Sequence, residues 1–172
     1  MATNVSRHFR DWVHVKISDE NYFFHSHKYT LGYLAEAVLS NQPLFSNYYA
    51  SLLVSPAFYP MQDSNSLFLT NFRATSYLAT GLKNVFNLKR NLDFRLEAYL
   101  FLPYEKFEPI GLQGIKYGKA LNNWYYAGTA GIVYHTPVGP ISLSYNRYDD
   151  PAKRNGVILH FGYLIYNKRS IE

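Results

Sequence analysis

Histidines, carboxylates and glycines are the residues of this sequence whose types and spacing could support chemistry. His25 and His27 are two positions apart, so on a strand they would share a face, and His14 could join them on a zinc ion. The chain has no cysteine, and no nearby carboxylate cluster completes a tetrahedral ligand set. We therefore expect these histidines to be polar residues near a turn, and we expect no metal site and no cofactor.

The carboxylates give a similar result. The adjacent pair Asp149-Asp150 could bind calcium, but adjacent acidic residues in a turn are more often simply solvated. Asp93 and Glu97 would share one face of a strand, too far apart to share a proton, and Arg95 between them favours ionisation of both. We expect these three charges to be structural rather than catalytic.

Sequence motifs for the common enzyme classes are missing. The chain has no Gly-x-Ser-x-Gly elbow, and the glycines between Gly111 and Gly118 lack the strand-turn-helix context of a phosphate loop. The net charge is +5, but lysine and arginine are scattered rather than gathered on one face. We therefore predict no catalytic residues in this chain and no nucleic-acid partner.

The composition favours β structure. Aromatic residues make up 18% of the chain, with 17 tyrosines, and charged residues also make up only 17%. Tyrosine packs well on a pleated strand, and its ring with a polar tip suits a membrane-water boundary. The absence of a long apolar run excludes a spanning helix, and the mean hydropathy of −0.23 is what strands of alternating polarity would give.

Period-two alternation dominates the chain. In the clearest segment, Leu92 to Leu102, apolar residues occupy one face while Asp93, Arg95 and Glu97 occupy the other. Turn signals separate about eight such segments, an even number as in bacterial barrels. They lie near Trp12–Ser18, Tyr29–Leu39, Tyr48–Pro56, Phe72–Lys83, Leu92–Leu102, Trp124–His135, Gly139–Tyr148 and Gly156–Tyr166.

The connections alternate between short and long. Lys89–Asn91 and Pro137–Pro140 have the composition of tight turns, whereas Ala57–Leu69 and Pro103–Asn123 are long connections without a helical pattern. Long loops on one side and short turns on the other are typical of outer-membrane barrels. A soluble β-domain with the charged face in water remains an alternative.

Three runs in the C-terminal third resemble the closing strands of one barrel family. They are His135-Thr136-Pro137-Val138-Gly139-Pro140-Ile141-Ser142-Leu143-Ser144, Tyr148-Asp149-Asp150, and His160-Phe161-Gly162-Tyr163-Leu164-Ile165-Tyr166-Asn167-Lys168. The chain thereby resembles the bacterial surface antigen, or outer-membrane assembly-factor, superfamily. It is most similar to the branch of Bacteroidetes-type bacteria in which the barrel follows a patatin-like phospholipase domain. The family turn motif is carried by Thr136, Pro137, Gly139 and Pro140.

The resemblance also implies roles for other residues. The family has a long loop that folds into the lumen and ends in an arginine motif, and Arg73 after the long connection is the candidate. Buried in a lumen, this arginine would need a carboxylate partner, for which Glu97 or Asp93 is available. The last strand resembles the family's assembly signal, recognised by the barrel-insertion machinery and carried here by Phe161, Gly162, Tyr163 and Ile165.

The sequence thus predicts one all-β domain over residues 1–172, an antiparallel transmembrane β-barrel in the bacterial outer membrane. Because Met1–His8 lacks an export signal and the family barrel has sixteen strands, we expect about eight strands that close alone or form the C-terminal half of a longer precursor. Its partners would be outer-membrane lipids, the insertion machinery and either a second copy or the missing half.

By resemblance, the function is to anchor or translocate an N-terminal patatin-like lipase domain that this sequence does not contain. A protein-insertion or translocation pore and a soluble ligand-binding β-barrel are the alternatives.

Overall fold

One antiparallel sheet dominates the computed structural model, which describes residues 12–45, 47–111 and 114–162. Seven strands form it, in the order β1-β2-β3-β4-β7-β8-β9, so each strand pairs with its nearest neighbours along the sheet. The prediction of an all-β domain is confirmed. The strands are β1 (His14–His25), β2 (Tyr29–Ser40), β3 (Tyr77–Lys89), β4 (Leu92–Pro103), β7 (Tyr125–Thr136), β8 (Gly139–Tyr148) and β9 (Asn155–Phe161).

The sheet is open within the described residues. β1 and β9 each pair with one neighbour only, and no pairing joins them in the ranges that the structure covers. The expected count of eight strands becomes seven in this sheet. A separate hairpin, β5 (Phe107–Ile110) with β6 (Gly114–Tyr117), lies in the long connection Pro103–Asn123, for which no strand was predicted.

The strand expected at Tyr48–Pro56 is wrong, because this segment forms helix α1 (Tyr48–Val54). The side chain of Asn47 accepts hydrogen bonds from the backbone N–H groups of Tyr49 at 2.9 Å and Ala50 at 3.2 Å. These bonds satisfy two donors that a helix start leaves free. Two 3₁₀ helices follow, at Gln62–Ser66 and Thr70–Phe72. None of the helices in the described ranges has both the length and the apolar character needed to cross a membrane.

The residues between β2 and β3, described at 41–45 and 47–76, lie against one face of the sheet. We call them the covering segment, and we call the face beneath them the inner face. Their contact encloses the main core, in which side chains of the covering segment meet those of the sheet. The core comprises Val38, Phe58, Met61, Leu69, Phe72, Ala74, Tyr77, Ala79, Tyr99, Phe101, Tyr125, Ala127 and Tyr148.

The opposite, outer face of the sheet is uncovered and mainly apolar, although the charged residues Asp19 and Arg147 also lie on it. On β4 its residues are the apolar set that the sequence predicted, Phe94, Leu96, Ala98, Leu100 and Leu102. Directly opposite residues of antiparallel neighbours share a face, so the pairing extends this surface across the sheet. It includes exposed Ile17, Leu39, Leu78, Leu82, Ile132, Leu143, Val157 and Leu159.

Short turns lie at one end of the sheet and long connections at the other. β1–β2, β3–β4 and β7–β8 are joined at the end that we call the turn end, through residues 26–28, 90–91 and 137–138. In the last of these, Pro137 and Val138 form the turn, and the Thr136 hydroxyl donates to the Gly139 carbonyl at 2.5 Å. The covering segment, the β5–β6 hairpin and residues 149–154 occupy the other end, the loop end.

Glycine permits a close approach inside the sheet at Gly81. This residue pairs with Tyr99 on β4, whose ring lies flat over it, so that an added Cβ would come within 2.3 Å of the Tyr99 Cδ1 atom. Gly32 and Tyr22 repeat the arrangement between β2 and β1, at 2.5 Å. Both tyrosines lie on the inner face, where the glycines make room for their rings.

Candidate functional site

The site is the inner face where the covering segment docks, and Phe72 is at its centre. Phe72 is fully buried, and its ring centroid lies 5.7 Å from that of Phe101 on β4. Its other neighbours are Tyr125 on β7 at 6.4 Å and Tyr148 on β8 at 6.2 Å. One side chain of the covering segment therefore contacts three strands of the sheet.

The arginine that follows Phe72 organises the covering segment itself. Arg73 is buried, and its guanidinium donates to the carbonyl oxygen of Leu52 at 3.1 Å and to that of Leu53 at 3.4 Å, near the C-terminal end of α1. A cation is favoured there because helix carbonyls lack partners at that end. The ring of Phe68 covers the guanidinium at 4.5 Å. Carbonyl groups of α1, rather than the Glu97 carboxylate, are therefore the hydrogen-bond partners of Arg73. The expected Arg73–Glu97 contact is wrong.

The charges of β4 share the inner face, as the alternation predicted, but they do not pair with one another. Glu97 accepts a hydrogen bond from the Tyr99 hydroxyl at 2.5 Å. Asp93 lies 2.7 Å from the His135 Nε2 atom at the turn end. Arg95 has no ion-pair partner among the described residues. Each carboxylate therefore has a local partner, and Arg95 is left facing an open recess.

Asp150 links two segments of the chain through buried hydrogen bonds, and the sequence did not reveal this role. We expected the pair Asp149-Asp150 to be a solvated turn, but Asp150 is only 2% exposed. Its carboxylate accepts from the backbone N–H of Asn71 at 2.7 Å and from that of Ala152 at 2.8 Å. The Thr70 hydroxyl is 3.3 Å away. One buried carboxylate therefore joins the last turn of the covering segment to the loop after β8.

Removal of this carboxylate tests its role. We expect Asp150→Ala to lower the free energy of unfolding by about 2 kcal/mol, because buried N–H donors would lose their acceptor. Asp149→Ala is the matched control, expected to cost less than about 0.5 kcal/mol, since Asp149 binds Asn71 and Tyr126 through its backbone. Urea unfolding of the two variants measures the difference. Equal destabilisation of the two variants would show that the Asp150 carboxylate does not specifically link the covering segment to the loop after β8.

Further polar contacts extend the seam between covering segment and sheet. The Tyr148 hydroxyl donates to Asp63, and the Tyr77 hydroxyl donates to the Ala57 carbonyl at 3.2 Å. Lys106 donates to the Asn71 side-chain oxygen at 2.8 Å and lies over the Tyr125 ring. Burial lowers the pKa of the Lys106 ammonium, and the nearby Asp150 and Asp149 partly oppose that effect.

Toward the turn end the inner face is not covered, and a recess of about 440 Å³ remains. Its lining combines apolar surface with polar side chains that include Asp63, Lys83, Arg95, Glu97, Ser144 and Asn146. The described ranges contain no group of three histidine, aspartate or glutamate side chains that could hold a metal ion. His14 and His25 lie at opposite ends of β1, so the zinc set considered from the sequence cannot assemble.

The candidate assembly signal is described only in part. Phe161 ends β9 on the outer face, 55% exposed, and the Gly162 N–H donates to the Pro140 carbonyl at 2.8 Å. Tyr163 and Ile165 lie outside the described residues. Gly162 therefore joins the end of the last strand to the turn that carries the family motif.

Known proteins give no further guide to the site. No family model, no curated protein and no solved structure matches this chain. What the site does is therefore inferred from its geometry and its chemistry.

Proposed function

We propose that this chain forms part of the wall of an outer-membrane β-barrel, with the covering segment inside, and that it anchors a domain joined to its N-terminal side. The observation that carries the proposal is the polarity of the two faces. Leu96 and Leu143 are 45% and 52% exposed on the outer face, whereas Glu97 and Lys83 lie on the inner face. A soluble β-sheet turns its polar face to water, whereas a barrel in lipid does the reverse.

Two uncharged polar groups on the outer face, Thr80 and Asn84, support the proposal because they form hydrogen bonds within the sheet. The charged Asp19 on the same face also has a partner there, since it accepts a hydrogen bond from the Tyr33 hydroxyl. The Thr80 hydroxyl donates to the Leu34 carbonyl at 3.1 Å. Asn84 accepts from the Tyr29 hydroxyl at 2.6 Å, and its amide donates to the Leu96 carbonyl at 3.1 Å. Hydrocarbon offers no hydrogen bonds, so a lipid-facing polar group must find partners in the protein.

The strand lengths fit the same environment. β1, β2, β4 and β7 each have 12 residues, and β3 has 13. A tilted strand needs about 9 to 11 residues to cross the hydrocarbon, and soluble strands are commonly about five or six residues long. From Phe94 to Leu102 the outer face of β4 stays apolar over roughly 27 Å of strand, close to the height of the lipid-facing band of known barrels.

The covering segment favours an anchor over an open pore. At the loop end it is held on the inner face by a buried aromatic core and by the hydrogen bond from the Asn71 N–H to the Asp150 carboxylate. A translocation pore, the alternative function, would require this contact to open. By resemblance to the surface antigen superfamily, the anchored domain is a patatin-like lipase, which would carry any catalytic activity.

A pair of single-cysteine variants tests the orientation of the sheet, because the chain has no cysteine of its own. Leu96 faces outward and pairs with Ala130, which pairs in turn with Tyr145, one residue from the inward-facing Ser144. The two positions therefore lie at nearly the same height. After reconstitution in phosphatidylcholine vesicles, a polarity-sensitive fluorophore on Leu96→Cys should emit at shorter wavelength and be quenched by lipids that carry a mid-chain nitroxide.

The same fluorophore on Ser144→Cys is the control. It should show little quenching by the nitroxide lipid and remain accessible to a water-soluble quencher, because Ser144 faces the recess. Equal quenching at both positions, or a chain that remains monodisperse in buffer without detergent, would contradict a membrane-embedded sheet.

A further inference from the structure

Basic side chains from two neighbouring turns gather at the turn end of the sheet. Lys28 belongs to the β1–β2 turn, Lys89 is the last residue of β3, and Arg90 follows it in the β3–β4 turn. Together with His27 and His135 they line a concavity of about 520 Å³. These cations are exposed, and none of them pairs with a carboxylate in the part of the chain that the structure describes.

Backbone contacts fix the two turns relative to each other. The Asn87 N–H donates to the Lys28 carbonyl at 2.9 Å, and the Asn87 amide donates to the His27 carbonyl at 3.4 Å. Asp93 is the one carboxylate among the described lining residues, and it is engaged by His135. The concavity therefore holds three cationic side chains against one carboxylate, on two turns whose relative position is fixed by hydrogen bonds.

A row of aromatic rings runs along the outer face just above these cations. Consecutive centroids are 6.1 Å apart for Phe24 and Tyr29, 5.0 Å for Tyr29 and Phe86, and 6.0 Å for Phe86 and Phe94. Aromatic girdles of membrane proteins lie where hydrocarbon meets the headgroups. Lys89 is three residues beyond Phe86, or roughly 10 Å along the strand, which places it at the depth of lipid phosphates.

From this juxtaposition we infer a binding site for the phosphate of an anionic glycerophospholipid, formed by Lys28, Lys89 and Arg90. The inference rests on the proposed membrane location. The aromatic row argues for a lipid rather than a free phosphate. Asp93 and His135 line the concavity from the inner face, but Lys89 pairs with Leu92 on the outer face, so the acyl chains of a lipid whose phosphate contacts Lys89 would lie along that face. A lipid with net negative charge is favoured over a zwitterionic one, whose ammonium group would oppose the three cations.

The chain offers a matched pair of variants for the test. Lys89-Arg90 and Lys153-Arg154 are both exposed Lys-Arg pairs, the first at the turn end and the second at the loop end. K89Q/R90Q and K153Q/R154Q therefore remove the same charge at opposite ends of the sheet. Full-length protein in dodecyl maltoside micelles is titrated with dioleoyl phosphatidylglycerol, and native mass spectrometry measures how much lipid each variant retains.

We expect K89Q/R90Q to bind phosphatidylglycerol about twentyfold more weakly than the unmodified chain, since each cation near an anionic lipid contributes roughly a factor of five. K153Q/R154Q should bind as the unmodified chain does. Lys28→Gln, in the other turn, should give a loss of about fivefold. Dioleoyl phosphatidylcholine should be retained equally, and weakly, by all variants.

Other outcomes would overturn the inference. Equal retention by the two double variants, or equal binding of both lipids, would show that no specific anionic-lipid site exists. If inorganic phosphate at millimolar concentration displaces phosphatidylglycerol completely, the cluster is a general anion site. The Leu96→Cys and Ser144→Cys fluorophores, measured in the same preparations, report membrane insertion independently, so failure of the lipid site is distinguishable from failure of the proposed function.

Discussion

Replacing Phe72 with alanine should lower the free energy of unfolding by about 4 kcal/mol and release the covering segment from the sheet. Phe72 is fully buried and packs against Phe101, Tyr125 and Tyr148 on three different strands. Truncation removes apolar burial and leaves a cavity that the rigid strands cannot close. Urea unfolding in detergent measures the loss, and chymotrypsin cleavage at Phe58 measures release of the segment.

Phe68→Ala is the control, because Phe68 is also in the covering segment but is 39% exposed and contacts Arg73 by its ring face. Loss of that cation–π contact should cost no more than about 1 kcal/mol and leave chymotrypsin cleavage unchanged. If Phe72→Ala and Phe68→Ala were equally stable and equally resistant, the aromatic core would not hold the segment on the sheet.

The strands were predictable because alternation is a local signal. Leu92–Leu102 was predicted and β4 is Leu92–Pro103, and Gly139–Tyr148 matches β8 at both bounds. In both segments a period of two residues and the flanking turn residues specify the structure without knowledge of the neighbours. The same signal placed Asp93, Arg95 and Glu97 correctly on one face, since a face follows from position along the strand.

The covering segment was not predictable in the same way. Tyr48–Val54 has the apolar and aromatic residues of a strand, and its helix depends on the Asn47 cap and on the burial of Ser51 and Leu52. Because the helix was missed, its carbonyls were not considered as partners for Arg73, and Glu97 was chosen instead. Asp150 was missed for a related reason, since the two groups that donate to its carboxylate lie 79 and 80 residues earlier in the chain.

These contacts divide the inner face into two parts. At the loop end, aromatic residues of the sheet are buried beneath the covering segment, as Tyr77 and Phe101 are. Toward the turn end, the same strands carry Lys83, Arg95 and Glu97, which face the recess. The outer face does not change in this way and stays apolar along β4. This difference between the two faces is the basis of the proposed lipid contact, since a buried protein partner would not need charges on the opposite face.

Leu96→Arg applies the strongest energetic test of this explanation. An arginine on the lipid face near the bilayer midplane costs about 3 kcal/mol, whereas an exposed leucine in water tolerates the change within about 0.5 kcal/mol. Leu96 is 45% exposed, so steric conflict does not contribute to the expected loss. Urea-dependent folding into short-chain phosphatidylcholine vesicles measures the free energy.

Ser144→Arg introduces the same charge at nearly the same height on the inner face and should cost less than about 1 kcal/mol, because the recess admits water. A small effect of both substitutions would place the outer face in water and contradict the membrane location, whereas a large effect of Leu96→Arg alone requires that lipid surround the sheet.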